Sequence, residues 1–351
     1  MNKLYNVQVL RGLAALMVAL SHLGYAMPVL KDWRLSVLEH GASGVDIFFV
    51  ISGFIMVYTT EGRATGPVRF MRSRVVRIVP LYWLLTFAVF VAALVLPRLF
   101  AQVSADLPHL AASLFFLPQE KSPIVYVGWT LNFEMLFYVL FAIGLSIGTA
   151  WRVLFPLLFI TVAAVLGTVL GSGPQSGIWW SFLTDPMSLE FCGGMIIGCF
   201  WQRFRRDARL AWLALGLGFV ALLAGPFPLN RPDHWLRVVA WGLPSFFIVA
   251  AAIALEAHGH AWRNAFLHEL GNASYSLYLT HVFIVRAFEK FPVTRLLGES
   301  PAAAIVGSIV ACAVVVCVGI GVHRLVEKPL SALFDRLLPK PGAAPRAAVA
   351  A

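Results

Sequence analysis

This sequence predicts an all-α, polytopic membrane bundle, and three observations predict it. Hydrophobic residues make up 60% of the 351 residues and charged ones only 13%, with a mean hydropathy of +0.81. The apolar residues come in long runs rather than alternating, which excludes a transmembrane β-barrel; the α-helix then remains as the way to satisfy every backbone group in lipid. Finally, lysine and arginine fall unevenly between the loops that join those runs.

About ten spans can be laid out: 7–27, 41–60, 78–97, 125–148, 153–171, 187–201, 210–225, 238–255, 273–289 and 302–323. Ten crossings put both termini on one side. That side carries seventeen lysines and arginines against eight on the other, so both termini are expected in the cytoplasm. The same bias accounts for much of the net charge of +10, which needs no nucleic-acid partner. The four cysteines, 192, 199, 312 and 317, lie in apolar runs without metal-ligand spacing and read as core residues; no metal site is expected. The N-terminus lacks the pattern of a cleaved signal. Residues 1–335 read as one membrane domain and 336–351 as a disordered cytoplasmic tail rich in Ala and Pro.

The first span, VQVLRGLAALMVALSHLGYAM, carries Arg11 and His22. Eleven residues are close to three helical turns, so both lie on one face, roughly 16 Å apart. A snorkelling arginine and an interfacial histidine are the plain reading; a catalytic imidazole above a cation for an anionic donor is the functional one. The second span opens GASGVDIFFVISGF, where Asp46 reaches the depth of His22 and could orient it. Gly41, Gly44 and Gly53 would bring this helix close to the first.

Next comes the densest basic stretch, RFMRSRVVRIVPLYW, read as a loop with Pro80 opening the third span. Arg74 and Arg77 share a helical face and suit phosphates, with Arg72 assigned to the same donor group; lipid contact is the alternative. LPHLAASLFFLP in the following loop reads as an interfacial helix. In VYVGWTLNFEMLFYVLF, Glu134 falls in mid-span, a second carboxylate that could serve His22, with Asn132 beside it. The ninth span, GNASYSLYLTHVFIVRAF, sets Ser274, Tyr278 and His281 on one polar face. Asn132, Tyr278 and His281 are candidate substrate contacts. Near the end, Glu327 and Lys328 read as an ion pair.

Taken together these stretches resemble the acyltransferase 3 family of multi-pass membrane acyltransferases over about residues 5–335. Arg11 to His22 matches its R-x10-H motif, GVDIFFVISGF its GVDxFFVxSGF signature, Arg74 and Arg77 its RxxR pair, and WTLNFEMLFY its WTLxxE segment. NASYSLYLTH and EKPL match its closing motifs. The wording is most similar to the branch that acetylates bacterial exopolysaccharide. The resemblance implies an enzyme of the bacterial inner membrane. It would move an acyl group, often acetyl, from cytoplasmic acyl-CoA to a hydroxyl of a glycan or lipid-linked sugar. Arg11 and His22 would be the essential pair, with Arg74 and Arg77 on the CoA side. No permanently bound cofactor is implied; the partners would be the acyl-CoA, the glycan, the bilayer and polysaccharide-synthesis machinery.

Two mechanisms fit the residues: His22 as general base in direct transfer, or His22 as a transiently acylated nucleophile. A proton- or sugar-coupled transporter, with His22, Glu134 and His281 as relays, is the rival reading. A scaffold would leave the intramembrane charges without a purpose.

Overall fold

The computed structural model describes residues 4–26, 36–63, 65–100, 102–173, 175–204, 207–225, 234–290 and 301–339. Among these residues every regular element is helical. In order they are α1 (Tyr5–Ala26), α2 (Gly44–Thr60), α3 (Pro67–Val95), α4 (Leu107–Leu114), α5 (Trp129–Ile147), α6 (Trp151–Leu170) and α7 (Ile178–Leu183). There follow α8 (Leu189–Phe200), α9 (Ala208–Ala224), α10 (His234–Ala257), α11 (Ala265–Asn272), α12 (Ser274–Lys290), α13 (Pro301–Val322) and α14 (Lys328–Leu337).

Among the described residues seven helical stretches are long and apolar enough to cross a membrane. The expected spans at 187–201, 210–225 and 273–289 are helical too, but α8, α9 and α12 run only 12, 17 and 17 residues. Large apolar side chains such as Val91, Val169, Leu217, Val220 and Ile309 stand more than half exposed. Such a surface is untenable in water and suits lipid.

The basic stretch of residues 69–77 is helix, not loop. α3 starts at Pro67, where a missing N–H costs nothing, and Pro80 is buried inside the helix instead of opening it. The expected short helix in the following loop is α4, capped by Asp106, which accepts from the His109 N–H at 2.8 Å. Two π-helical turns, Val238–Gly242 in α10 and His323–Glu327 before α14, each end two residues before a proline, Pro244 and Pro329. Proline cannot donate to the carbonyl four residues back, and its ring crowds that carbonyl, so the turn widens.

Glu327 does not pair with Lys328. Its carboxylate accepts from Ser276 at 2.5 Å and bonds His323 at 2.8 Å. Arg324 instead binds Glu269 at 2.7 Å and holds that carboxyl below the usual carboxylate range. Of the cysteines only Cys192 is buried; Cys312 is half-buried, and Cys199 and Cys317 are exposed. All four are free. The tail beyond residue 339 lies outside the described residues.

α2 is the hub of the packing. Val45, Phe49, Met56 and Val57 belong to one core cluster, and Ile47, Val50, Ile51 and Phe54 to another. Phe49 stacks on Phe191 of α8 at 4.4 Å, and Phe191 on Phe137 of α5 at 4.6 Å. Gly41 and Gly44 meet α1, as expected: a Cβ on either would come within 2.3 Å of a backbone oxygen of Met17 or Ala14. Gly53 faces elsewhere. It meets the Phe191 carbonyl, and Gly194 of α8 returns the contact on the Val50 carbonyl.

One ion pair anchors the N-terminal end of α2. Asp46, fully buried, receives Arg237 Nη2 at 2.7 Å and Nε at 3.1 Å. The same guanidinium donates to the Ala42 carbonyl at 3.2 Å and lies over Trp241 at 4.9 Å.

Two outcomes follow from this packing. Gly194→Leu would place a Cβ 2.0 Å from the Val50 oxygen. It should lower the thermal midpoint of detergent-purified protein by the equivalent of about 3 kcal/mol or more, because backbone cannot yield as a flexible side chain can. Asp46→Leu should cost about 3 kcal/mol by removing both carboxylate bonds of Arg237, and the double variant with Arg237→Met should be destabilised by less than the sum of the two single variants. Thermal unfolding of the two single variants and the double variant checks it.

Candidate active site

The site is built from the N-terminal end of α1 outward. The Glu256 carboxylate accepts from the backbone N–H groups of Tyr5 at 2.6 Å and Asn6 at 2.9 Å, a negative charge at a helix N-terminus. Asn6 adds bonds from its amide to the Ala252 and His260 carbonyls and takes the Trp262 N–H at 2.7 Å. With its start fixed, α1 presents Arg11 to a cavity of about 350 Å³.

Arg11 donates to Ser274 Oγ at 3.1 Å. Arg74 and Arg77 of α3 line the same cavity, Arg77 exposed and Arg74 half-buried beside the rings of Phe70 and Tyr138. Glu134 of α5 faces them and is held by Ser52 Oγ at 3.0 Å and by the Tyr138 hydroxyl. Three guanidinium groups against one carboxylate make this an anion-accepting cavity. Tyr278 closes it on the α12 side, its hydroxyl shared with Thr130 at 2.8 Å.

One turn beyond Tyr278 lies His281, fully buried, its ring 5.9 Å from that of Tyr278. His281 meets His22, with ring centroids 5.0 Å apart and Nε2 3.4 Å from His22 Nδ1. His22 Nδ1 also lies 2.9 Å from the Val18 carbonyl, and His281 Nδ1 3.3 Å from that of Leu277. A carbonyl can only accept, so both δ nitrogens carry the proton. His22 Nδ1–H is then shared between Val18 and the unprotonated His281 Nε2. His22 Nε2 makes no hydrogen bond among the described residues and is left as a base.

The structure therefore unites Arg11, Arg74, Arg77, Glu134 and Tyr278 around one cavity, with His281 and His22 in line behind it. It separates the others. Asp46 is committed to Arg237 and does not touch His22. Glu134 does not touch His22 either, since its partners are Ser52 and Tyr138; among the described residues no carboxylate hydrogen-bonds the imidazole, which is held by the Val18 carbonyl and His281. Arg72 is turned away from the cavity. It binds Asp335 Oδ1 at 2.7 Å and the carbonyls of Asp335, Leu338 and Pro339 at the end of α14. At 100° per residue it lies about 200° from Arg74 and 140° from Arg77, so one helix cannot aim all three at one cavity. Asn132 lines a different cavity on the other side of α5.

Sequence reasoning missed Tyr138, Ser52 and Arg237. Tyr138 was within reach, being four residues from Glu134 and so on its face. Nothing in the sequence links Arg237 to Asp46, 191 positions away.

The profile of the acyltransferase-domain family, type 3, matches residues 4–323. The exopolysaccharide production protein ExoZ of Rhizobium meliloti (strain 1021) is 34% identical, with 83% of this chain and 89% of that protein covered. The acyltransferase MdmB of Streptomyces mycarofaciens is 25% identical over 94% of this chain and 92% of its own. No solved structure matches the chain at a significant level. A profile match over nearly the whole length, together with the ExoZ similarity, places the protein: it belongs to the acyltransferase 3 family of membrane acyltransferases.

Proposed function

We propose that this protein moves an acyl group, acetyl by preference, from cytoplasmic acyl-CoA to a hydroxyl of a cell-surface glycan, exopolysaccharide or lipid-linked sugar. The observation that carries the reading is the convergence of Arg11, Arg74 and Arg77 on one cavity that ends at Tyr278, with His281 and His22 directly behind. The name of the ExoZ relative is consistent with a polysaccharide product.

In this reading ten helices cross the inner membrane with both termini in the cytoplasm. Contacts support the alternation. Arg11–Ser274 and His22–His281 run α12 parallel to α1, while Gly53–Phe191 and Val57–Gly198 run α8 parallel to α2. Gly41–Met17 and Gly44–Ala14 run α2 antiparallel to α1. These directions match first and ninth spans going out and second and sixth coming back, with the arginine cavity opening toward the cytoplasm.

The donor's phosphates meet Arg77 at the exposed mouth and Arg74 behind it; guanidinium forks suit phosphate oxygens. The thioester arm passes Arg11 toward Tyr278. At the far end His22 Nε2 takes the proton of the acceptor hydroxyl as its oxygen attacks the thioester carbonyl. The tetrahedral intermediate collapses, the C–S bond breaks, and the departing thiolate takes the proton back from the imidazolium. Val18 and His281 hold the ring in the tautomer that leaves Nε2 free.

Inverted inner-membrane vesicles given acetyl-CoA labelled in the acetyl group test this. Wild type should label the glycan or lipid-linked sugar fraction, and His22→Ala at equal expression should lose at least about a hundredfold in rate. Equal label in both would remove His22 from the chemistry; none in wild type, with other acyl-CoAs also failing, would refute the donor assignment. In the same assay Arg77→Ala should raise the acyl-CoA concentration for half-maximal rate about tenfold, the loss of one charge-assisted phosphate contact, while the maximal rate changes little.

A further inference from the structure

We propose that a second cavity, at the N-terminal end of α5, binds a neutral saccharide segment and holds the acceptor; the acceptor role rests on the transferase reading above. The cavity encloses about 1080 Å³, against about 350 Å³ for the arginine-lined one. That is just above the range of about 300–1,000 Å³ for small-molecule sites and suits an extended ligand. Its walls come from α5, the segment 118–123, the end of α6, α7 and the start of α10.

α5 is the partition between the two cavities. Thr130, Glu134 and Tyr138, spaced by four, face the arginines, whereas Trp129, Asn132 and Phe133 face the second cavity. A helix with its side chains is about 10–12 Å across, so the two cavities are separate compartments; a saccharide held in the second reaches His22 around the N-terminal end of α5, where the ring of Tyr126 lies 6.2 Å from that of His22.

Charge, aromatic content and one orphaned atom define the ligand class. Lys121 is offset by Glu120 and Asp185, so the lining lacks the positive excess that a phosphate needs. Trp129, Trp235 and Phe182 supply aromatic faces, and Trp235 is held by its Nε1–H bond to Thr168 at 2.9 Å. Sugar rings offer C–H groups on their faces and hydroxyls at their edges, and aromatic planes with scattered polar atoms match both. Asn132 is 6% exposed; its amide nitrogen reaches the Leu117 carbonyl at 3.3 Å, and its Oδ1 is buried with no hydrogen bond among the described residues. A buried unpartnered acceptor costs about 1–3 kcal/mol, a cost that a ligand hydroxyl removes. At the far wall Asp185 accepts the Met187 N–H with one oxygen and binds His234 Nδ1 at 2.6 Å with the other. That fixes the imidazole and leaves Nε2 for a second hydroxyl.

Ser181→Cys, on the cavity wall, is the reporter, with labelling by a membrane-impermeant maleimide read above the wild-type background on the full chain in detergent. The probes are oligosaccharide fragments released by mild acid from the producing strain's surface polysaccharide and, separately, its extracted lipid-linked sugars. Either probe should slow labelling, and which one does identifies the source of the saccharide; inorganic phosphate at equal concentration should not. Adding Asn132→Leu should leave thermal stability equal or higher, since it removes an orphan, yet raise the concentration for half-protection about tenfold. Protection by neither probe, or protection unchanged by Asn132→Leu, overturns the site. Acetyl transfer without protection would sink this proposal and spare the transferase reading; protection without transfer would sink the acceptor role and the transferase reading while keeping the saccharide site.

Discussion

The structure depends on how closely α2 can be approached. A helix buried on every side must let its neighbours' backbones come to van der Waals distance. In lipid, where apolar side chains gain little by meeting one another, such close packing supplies much of the association energy. Glycines meet that demand on two faces, toward α1 through Gly41 and Gly44 and toward α8 through Gly53 and Gly194. Its one charge, Asp46, is tolerable because Arg237 arrives with two donors. The motif GVDIFFVISGF is thus chiefly a packing device. It fixes α1 and α5 at the distances that allow Arg11 and Glu134 to face one cavity.

In the proposed reading the site is laid out along α1 and α12 as two parallel rails. Arg11 touches Ser274 near the start of both, and His22 touches His281 further on. Between them the lining changes character, from guanidinium groups to tyrosine hydroxyls to imidazoles. The basic end attracts anions, and at the other end the two imidazoles face each other. Neither rail holds the site alone, since each histidine is set by its own helix's carbonyl and by the other ring.

What the sequence disclosed followed periodicity. The helical class came from the long apolar runs; the shared faces of Arg11 with His22, Arg74 with Arg77, and Tyr278 with His281 come from spacing within one helix, and each pair does lie on one helix, although of the first pair only Arg11 lines the arginine cavity. Errors arose where the partner was distant or where a run was read without its phase. Asp46 looked available because Arg237 is 191 residues away, and Gly53 was sent to the wrong neighbour for the same reason. Arg72, by contrast, could have been excluded from its helical phase alone. Pro80 misled because proline near an aromatic pair reads as a helix start, whereas the run of basic residues before it was already helix.

The fate of Arg72 reaches beyond the site. Its guanidinium gathers the carbonyls of Asp335, Leu338 and Pro339 and the Asp335 carboxylate, so α14 and the two residues after it are tied to the same helix that carries Arg74 and Arg77. Mechanically α14 and the arginines of α3 form one lever. A pull, a fused domain or a bound protein acting just past Leu338 would be felt first not at the periphery but in the rotation of α3, and hence at the mouth of the arginine cavity.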